Sequence, residues 1–301
     1  MFAMTGKNKA KTVFIVICVF LFLSAALWFV MYMFDFGILA IPVAVTIALI
    51  TSLISFFNSH KIVMKISGAR PADPQTEKRL HDMMEGICIA AGMEKPKIYI
   101  IEDPSPNAFA TGRNPKNAVV CVTTGLLETL DYYELEGVMA HELAHIKNYD
   151  ILLATIVTVM VGIVIILSDF LFLGHRGLFR GGGSRNYGGG GGYIGLIIMV
   201  VGLVFIILAP IAGQLMKLAL SRNREYLADT TAVEFTRNPA GLVSALEKLD
   251  SYAVGVKHAN KATESLYIVN PFKDLSNKKP SKWFTTHPPM EKRIEALKNI
   301  H

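Results

Sequence analysis

Cysteine is scarce in this chain: three residues in 301, with no two in CxxC spacing. Cys18 falls in an apolar run, and Cys88 and Cys121 stand far apart. That excludes a disulfide framework and a cysteine-built metal site, and it suits a reducing compartment around the chemistry. Charge is sparse too. Asp, Glu, Lys and Arg make up 18% of residues against 52% hydrophobic, where a soluble domain carries about 25% charged residues. There is no GxxxxGK[ST] loop and no nucleic-acid motif, so neither a nucleotide nor a nucleic acid is expected as a partner. The net charge of +6 is modest. Its Lys and Arg stand beside apolar runs, which points to anionic lipid headgroups.

The apolar excess sits in four runs, at residues 13–34, 38–57, 151–173 and 193–216. Each approaches or exceeds the roughly 20 residues that a membrane helix needs. The first follows Lys7, Lys9 and Lys11 and outruns the apolar core of a cleavable signal, so a retained anchor is expected. Only Asp35-Phe36-Gly37 separates it from the second, which makes a tight hairpin. The Gly-rich segment 174–192 between the last two runs reads as a solvated linker. Four stretches result: a transmembrane hairpin over 1–57, a catalytic segment over 58–150, a second hairpin over 151–216 and a second catalytic segment over 217–301.

Basic residues flank the runs at Lys7–Lys11, at Lys61, Lys65 and Arg70, and at Lys217, Arg222 and Arg224, whereas the loop at Asp35 has none. The positive-inside rule then predicts a multi-pass protein of the cell membrane with both termini and both catalytic segments in the cytoplasm. Arg176, Arg180 and Arg185 in the Gly-rich segment run against that rule. Residues 151–216 therefore form either two full spans or a re-entrant hairpin, and both leave the chemistry cytoplasmic.

Between the hairpins the pattern changes to that of an α+β domain. Asp73-Pro74 predicts a helix start, with Leu80, Met83, Met84, Ile87 and Ala91 at helical spacing and Gly92 as the stop. Residues 97–101 and 118–122 read as strands. Asp131 and Glu134 make a capping box for the next helix.

That helix contains His141-Glu142-Leu143-Ala144-His145. Positions i and i+4 share one helix face, so both imidazoles can bind one Zn²⁺ with Glu142 beside them as general base. The bland alternative is a pair of surface histidines on an amphipathic helix. A catalytic zinc takes three protein ligands and keeps one position open. Glu225 and Asp229, again i and i+4, offer the third ligand on a second helix. One carboxylate can bind the metal while the other holds the far nitrogen of a ligand histidine. Without the HExxH they would read as a charged helix end. His287 precedes Pro288-Pro289 and either reaches the cleft, as an oxyanion or regulatory group, or only caps the last helix. His60, His81, His175, His258 and His301 match no ligand spacing.

The chain resembles the HtpX family of membrane metalloproteases, relatives of the CAAX prenyl endoprotease. The resemblance rests on Asn107 through Gly112, Gly137 through His145, Ser221 through Asp229 and Thr286 through Ile294, and covers nearly the whole chain. It implies a mainly α membrane protein with an α+β, gluzincin-like protease domain. It implies His141, His145 and Glu225 as zinc ligands, Glu142 as base and Asp229 as support. It also implies that Asn107-Ala108-Phe109-Ala110 is an edge strand on which substrate lies extended. Unfolded or membrane proteins would be the substrates, in a quality-control role. Backbone pairing along an edge is indifferent to sequence and suits that role. Rival readings are weaker. An intramembrane protease would bury HExxH in an apolar run, a non-catalytic zinc scaffold or sensor would not need Glu142, and a CAAX-type prenyl endoprotease would have more spans.

Overall fold

The computed structural model describes residues 37–152, 154–155, 222–252, 266–268 and 288–300, with single positions between 14 and 32. Most of the third apolar run, all of the fourth, the Gly-rich segment, Ser221 and His287 lie outside them.

Helix α1 spans Ala40–Ile66, running past Phe57 where the second apolar run was expected to end. Its last turns are amphipathic and bury Ser59, Val63 and Met64 against the protein body. Its first part is largely apolar: Ile41, Val43, Ile47 and Leu53 face outward, the kind of surface that a membrane or a protein partner covers. Among the described residues this is the one helix long and apolar enough to cross a membrane, over Gly37–Ile54 with mean hydropathy 2.4. The expectation of four spans thus meets one candidate, the other runs lying largely outside the described residues.

Strands β1 (Arg70–Pro71), β2 (Lys97–Ile101), β3 (Ala108–Gly112) and β4 (Ala118–Thr123) form a mixed sheet in the order β1-β2-β4-β3. β2 and β4 run parallel, and the other pairs are antiparallel. Both faces of β4 are covered, by alternation. Ala118, Val120 and Val122 enter the main core, while Val119 and Cys121 face Val63, Met64, Phe109 and Tyr267. Burial pushes the Cys121 thiol far up, and Cys88 to about 11, so both are inert, unpaired thiols.

Helix α2 covers Lys78–Ala91 and closes at left-handed Gly92. It starts later than Asp73-Pro74 suggested. Asp73 instead accepts from the Gln75 N–H and the Thr76 hydroxyl, and Glu77 accepts from the Asp73 N–H. Those side chains hold a separate turn, a known competitor of helix. After α3 (Thr124–Thr129) comes α4 (Tyr132–Lys147), with the predicted capping box of Asp131 and Glu134 in place. The remaining helices are α5 (Arg222–Thr236), α6 (Pro239–Ser251) and α7 (Met290–Lys298). α4 and α6 cross where side chains are missing: a Cβ on Gly137 would lie 2.9 Å from the Leu242 backbone, and one on Gly241 2.6 Å from the Tyr133 carbonyl oxygen. Glu134, buried at that crossing, accepts from Ser244 Oγ and Lys248 Nζ, both at 2.6 Å.

Candidate active site

Helix α4 turns Leu135, Val138, Met139, Leu143 and Ile146 into the core. That leaves His141, Glu142 and His145 on the side toward α5 and β3. α5 answers with Glu225 and Asp229, and both carboxylates are buried. The two helices come from either side of residues 151–216, so the site assembles from both catalytic segments.

His141 Nε2 and His145 Nε2 lie 3.1 Å apart. Glu225 Oε2 is 3.7 Å from His141 Nε2, and Glu225 Oε1 is 3.7 Å from His145 Nε2. One ligand atom from each of the three residues falls within 4.8 Å of the others. Around a tetrahedral zinc with bonds of about 2.0–2.1 Å, neighbouring ligand atoms stand about 3.3–3.4 Å apart, so the donor set matches that ion in type and spacing.

The far sides of the rings strengthen the fit. His141 Nδ1 sits 2.9 Å from Asp229 Oδ1, and His145 Nδ1 sits 3.3 Å from Asp150 Oδ2. If each Nδ1 donates its proton to its carboxylate, both Nε2 lone pairs are aimed at the same point, where only a cation or a shared proton relieves them. Electrostatics treats the two rings differently. Burial pulls His141 down to about 4, assisted by the Arg293 charge. On His145 burial is outweighed by the Asp150 hydrogen bond and the carboxylates around it, which raise it to about 9. A histidine that binds zinc must be neutral, so binding of a metal would work against the carboxylates that favour protonated His145.

Glu142 is buried beside this cluster. Burial raises its carboxyl to about 7, against the pull of His145 and Arg293, and the backbone of Ala110 adds a small lowering influence. The sheet edge therefore packs beside the helix that carries the base. β3 contains Ala108, Phe109 and Ala110, with Asn107 immediately before it, and it is a sheet edge as expected.

Three residues here escaped sequence reasoning. Asp150 backs His145, as Asp229 backs His141. It gets there because Tyr149 adopts φ 60°, a left-handed turn that ends α4 and swings the next residue back. Arg224 Nη1 lies 3.5 Å from the other Asp150 oxygen, joining the ends of α4 and α5. Arg293, fully buried on α7, holds Asp229 with two bonds, Nε to Oδ2 at 2.9 Å and Nη2 to Oδ1 at 2.6 Å. Its Nη1 lies 3.4 Å from Glu225 Oε2. Burial pushes Asp229 up, but the Arg293 charge and its hydrogen bonds prevail and hold it below the ordinary carboxylate range. The one signal in the sequence was an acid, Asp150, five residues after the second histidine of HExxH; nothing in the spacing marks Arg224 or Arg293.

Residues 74–301 match the family model described as Peptidase family M48. The chain belongs to peptidase family M48. Its relatives include a protein named Protease HtpX homolog from Dictyoglomus turgidum, 45% identical over 291 residues, spanning 97% of this chain and 92% of the relative. Another of that name, from Listeria monocytogenes, is 41% identical over 310 residues and spans both chains in full. The crystal structure of S. mikatae Ste24p is similar in fold, with TM-score 0.50 and 16% identity over 99% of this chain and 67% of that one. The chain is thus a metalloprotease, and M48 membership agrees with the HExxH on α4.

Proposed function

We propose that the chain is a membrane-embedded zinc endopeptidase in which His141, His145 and Glu225 hold one Zn²⁺ and Glu142 is the general base. The observation that carries this reading is the convergence of both Nε2 atoms and the Glu225 carboxylate on one point, with a buried carboxyl alongside. Bound zinc supplies acidification of a water and polarisation of the scissile carbonyl. The protein's own groups do the rest. Glu142, poised near neutrality, takes a proton from the attacking water and returns it to the departing amine nitrogen. Asp229 and Asp150 keep each ligand ring in the tautomer that presents Nε2. Arg293 orients Asp229 and balances its charge.

Substrate is proposed to lie extended along β3, with the bond to be cut near Ala110, on the strand that packs beside the Glu142 helix. Edge pairing reads main chain rather than side chains, which favours unfolded cytosolic or membrane proteins as substrates. The apolar helix α1 and the family support membrane residence, and the basic flanks support a cytoplasmic face for the site.

The test is the full chain purified in detergent with an unfolded protein. Cleavage should require one zinc per chain, stop with a chelator and return on adding zinc. Undiminished cleavage after complete removal of metal would sink the proposal.

A further inference from the structure

The outer side of β3 can be read rung by rung. Asn107, Phe109 and Thr111 direct their backbone groups toward β4, so by antiparallel alternation Ala108, Ala110 and Gly112 direct theirs outward. Gly112 is already satisfied. Its N–H donates to Thr155 Oγ1 at 3.0 Å, and the same hydroxyl lies 3.3 Å from its carbonyl. Ala108 is also taken. Its carbonyl accepts from the N–H of Ile268 at 3.1 Å. The contact is more than a single bond, because Tyr267 stacks edge-on against Phe109 with ring centroids 5.0 Å apart. Leu266, Tyr267 and Ile268 are all buried. Between these two ends stands Ala110, on the strand that packs beside the Glu142 helix.

We propose that Leu266–Ile268 is a specificity-determining boundary of the peptide-binding edge: by occupying the Ala108 carbonyl it confines substrate pairing to the Ala110 rung beside Glu142. This rests on the reading of β3 as the substrate strand. A guest chain that pairs only at Ala110 is held in one register relative to Glu142. A guest that pairs further, toward Asn107, must first release Ile268. The segment therefore lowers affinity for extended chains and gains a defined cutting position in return. Thr155 does the same from the opposite end, as a fixed stop reached through its bond to Thr111 Oγ1 at 2.9 Å.

The test uses the zinc-loaded full chain carrying Glu142→Gln, so that binding is read without turnover, and fluorescein-labelled, reduced and carboxymethylated α-lactalbumin as an unfolded probe. Adding Ile268→Pro removes the donor to Ala108, and adding Tyr267→Ala removes the ring on Phe109. Both should tighten probe binding in an anisotropy titration. For Ile268→Pro the gain should be about 2- to 12-fold, the effect of one net hydrogen bond. In the parent with Glu142 restored, each change should lower KM with kcat little altered. Unchanged or weaker affinity with zinc retained overturns the proposal. Should Ile268→Pro lose zinc, Tyr267→Ala decides by the same criterion. Zinc loss in both overturns it as well, since the segment is then scaffold. Failure of the parent to cleave the probe with zinc counts against the protease reading itself, whereas cleavage with unaltered affinities counts against the boundary alone.

Discussion

At the scale of single residues, the site is a balance of buried charges. Glu142, Asp150, Glu225 and Asp229 crowd one volume with two imidazoles, and Arg293 and Arg224 are the buried cations paired with them. Removing a carboxylate behind a ligand ring frees that ring to rotate or change tautomer. Asp150→Ala should therefore weaken zinc binding about 10- to 100-fold, read by competition with a chromogenic chelator. Unaltered affinity would remove Asp150 from the account. Legibility in the sequence followed distance along the chain. His141, Glu142 and His145 were readable because helix geometry alone brings i and i+4 together, and Glu225 with Asp229 for the same reason. Asp150 depends on the backbone turn at Tyr149, which no propensity rule predicts for a tyrosine. Arg293 reaches the site only through the packing of α7, and sequence spacing says nothing about that.

At the scale of elements, α4 organises the domain, and its start was legible from Asp131 and Glu134 while its partners were not. Glu134 serves twice: it closes the capping box and receives Ser244 and Lys248 from α6. Burial raises its pKa, but the Lys248, Ser244 and Asp131 hydrogen bonds prevail and hold it below the ordinary 4.5. A depressed folded pKa gives stability that is present above the unfolded value and is lost as pH falls through the folded one. The gap in Tm between the parent and Glu134→Gln should thus be full at neutral pH and shrink as pH drops below 4.5. A gap independent of pH would mean that the pairing contributes shape alone. The strands were readable from β-branched runs, the first over 97–101 and the second over 118–122, which the structure extends by one residue to Thr123. The helix start near Asp73 was misplaced, because capping side chains built a turn there first. The occupant of the β3 edge, Leu266–Ile268, had no sequence signal at all.

At the scale of the whole molecule, a single helix joins the apolar N-terminal part to the body that carries the site. α1 leaves its apolar stretch and continues without a break into the body, burying Val63 and Met64 beneath the sheet. The sheet is thereby tied to the one helix among the described residues that is apolar and long enough to cross a membrane. On the proposed topology, a cysteine at exposed Lys116, in a chain lacking Cys18, Cys88 and Cys121, should resist an impermeant thiol reagent in intact cells. It should react once the membrane is opened, and a cysteine at Gly37 should label from outside. Labelling at residue 116 in intact cells would reverse the orientation. The central claim concerns the division of labour between metal ligands and base, and the most direct measurement is the cleavage rate of an unfolded protein by Glu142→Gln at matched zinc content. Glutamine keeps the shape but accepts no proton, so with one zinc per chain the rate should fall by about 10²–10⁴-fold. A zinc-replete Glu142→Gln chain that cleaves at the parent's rate would contradict the account.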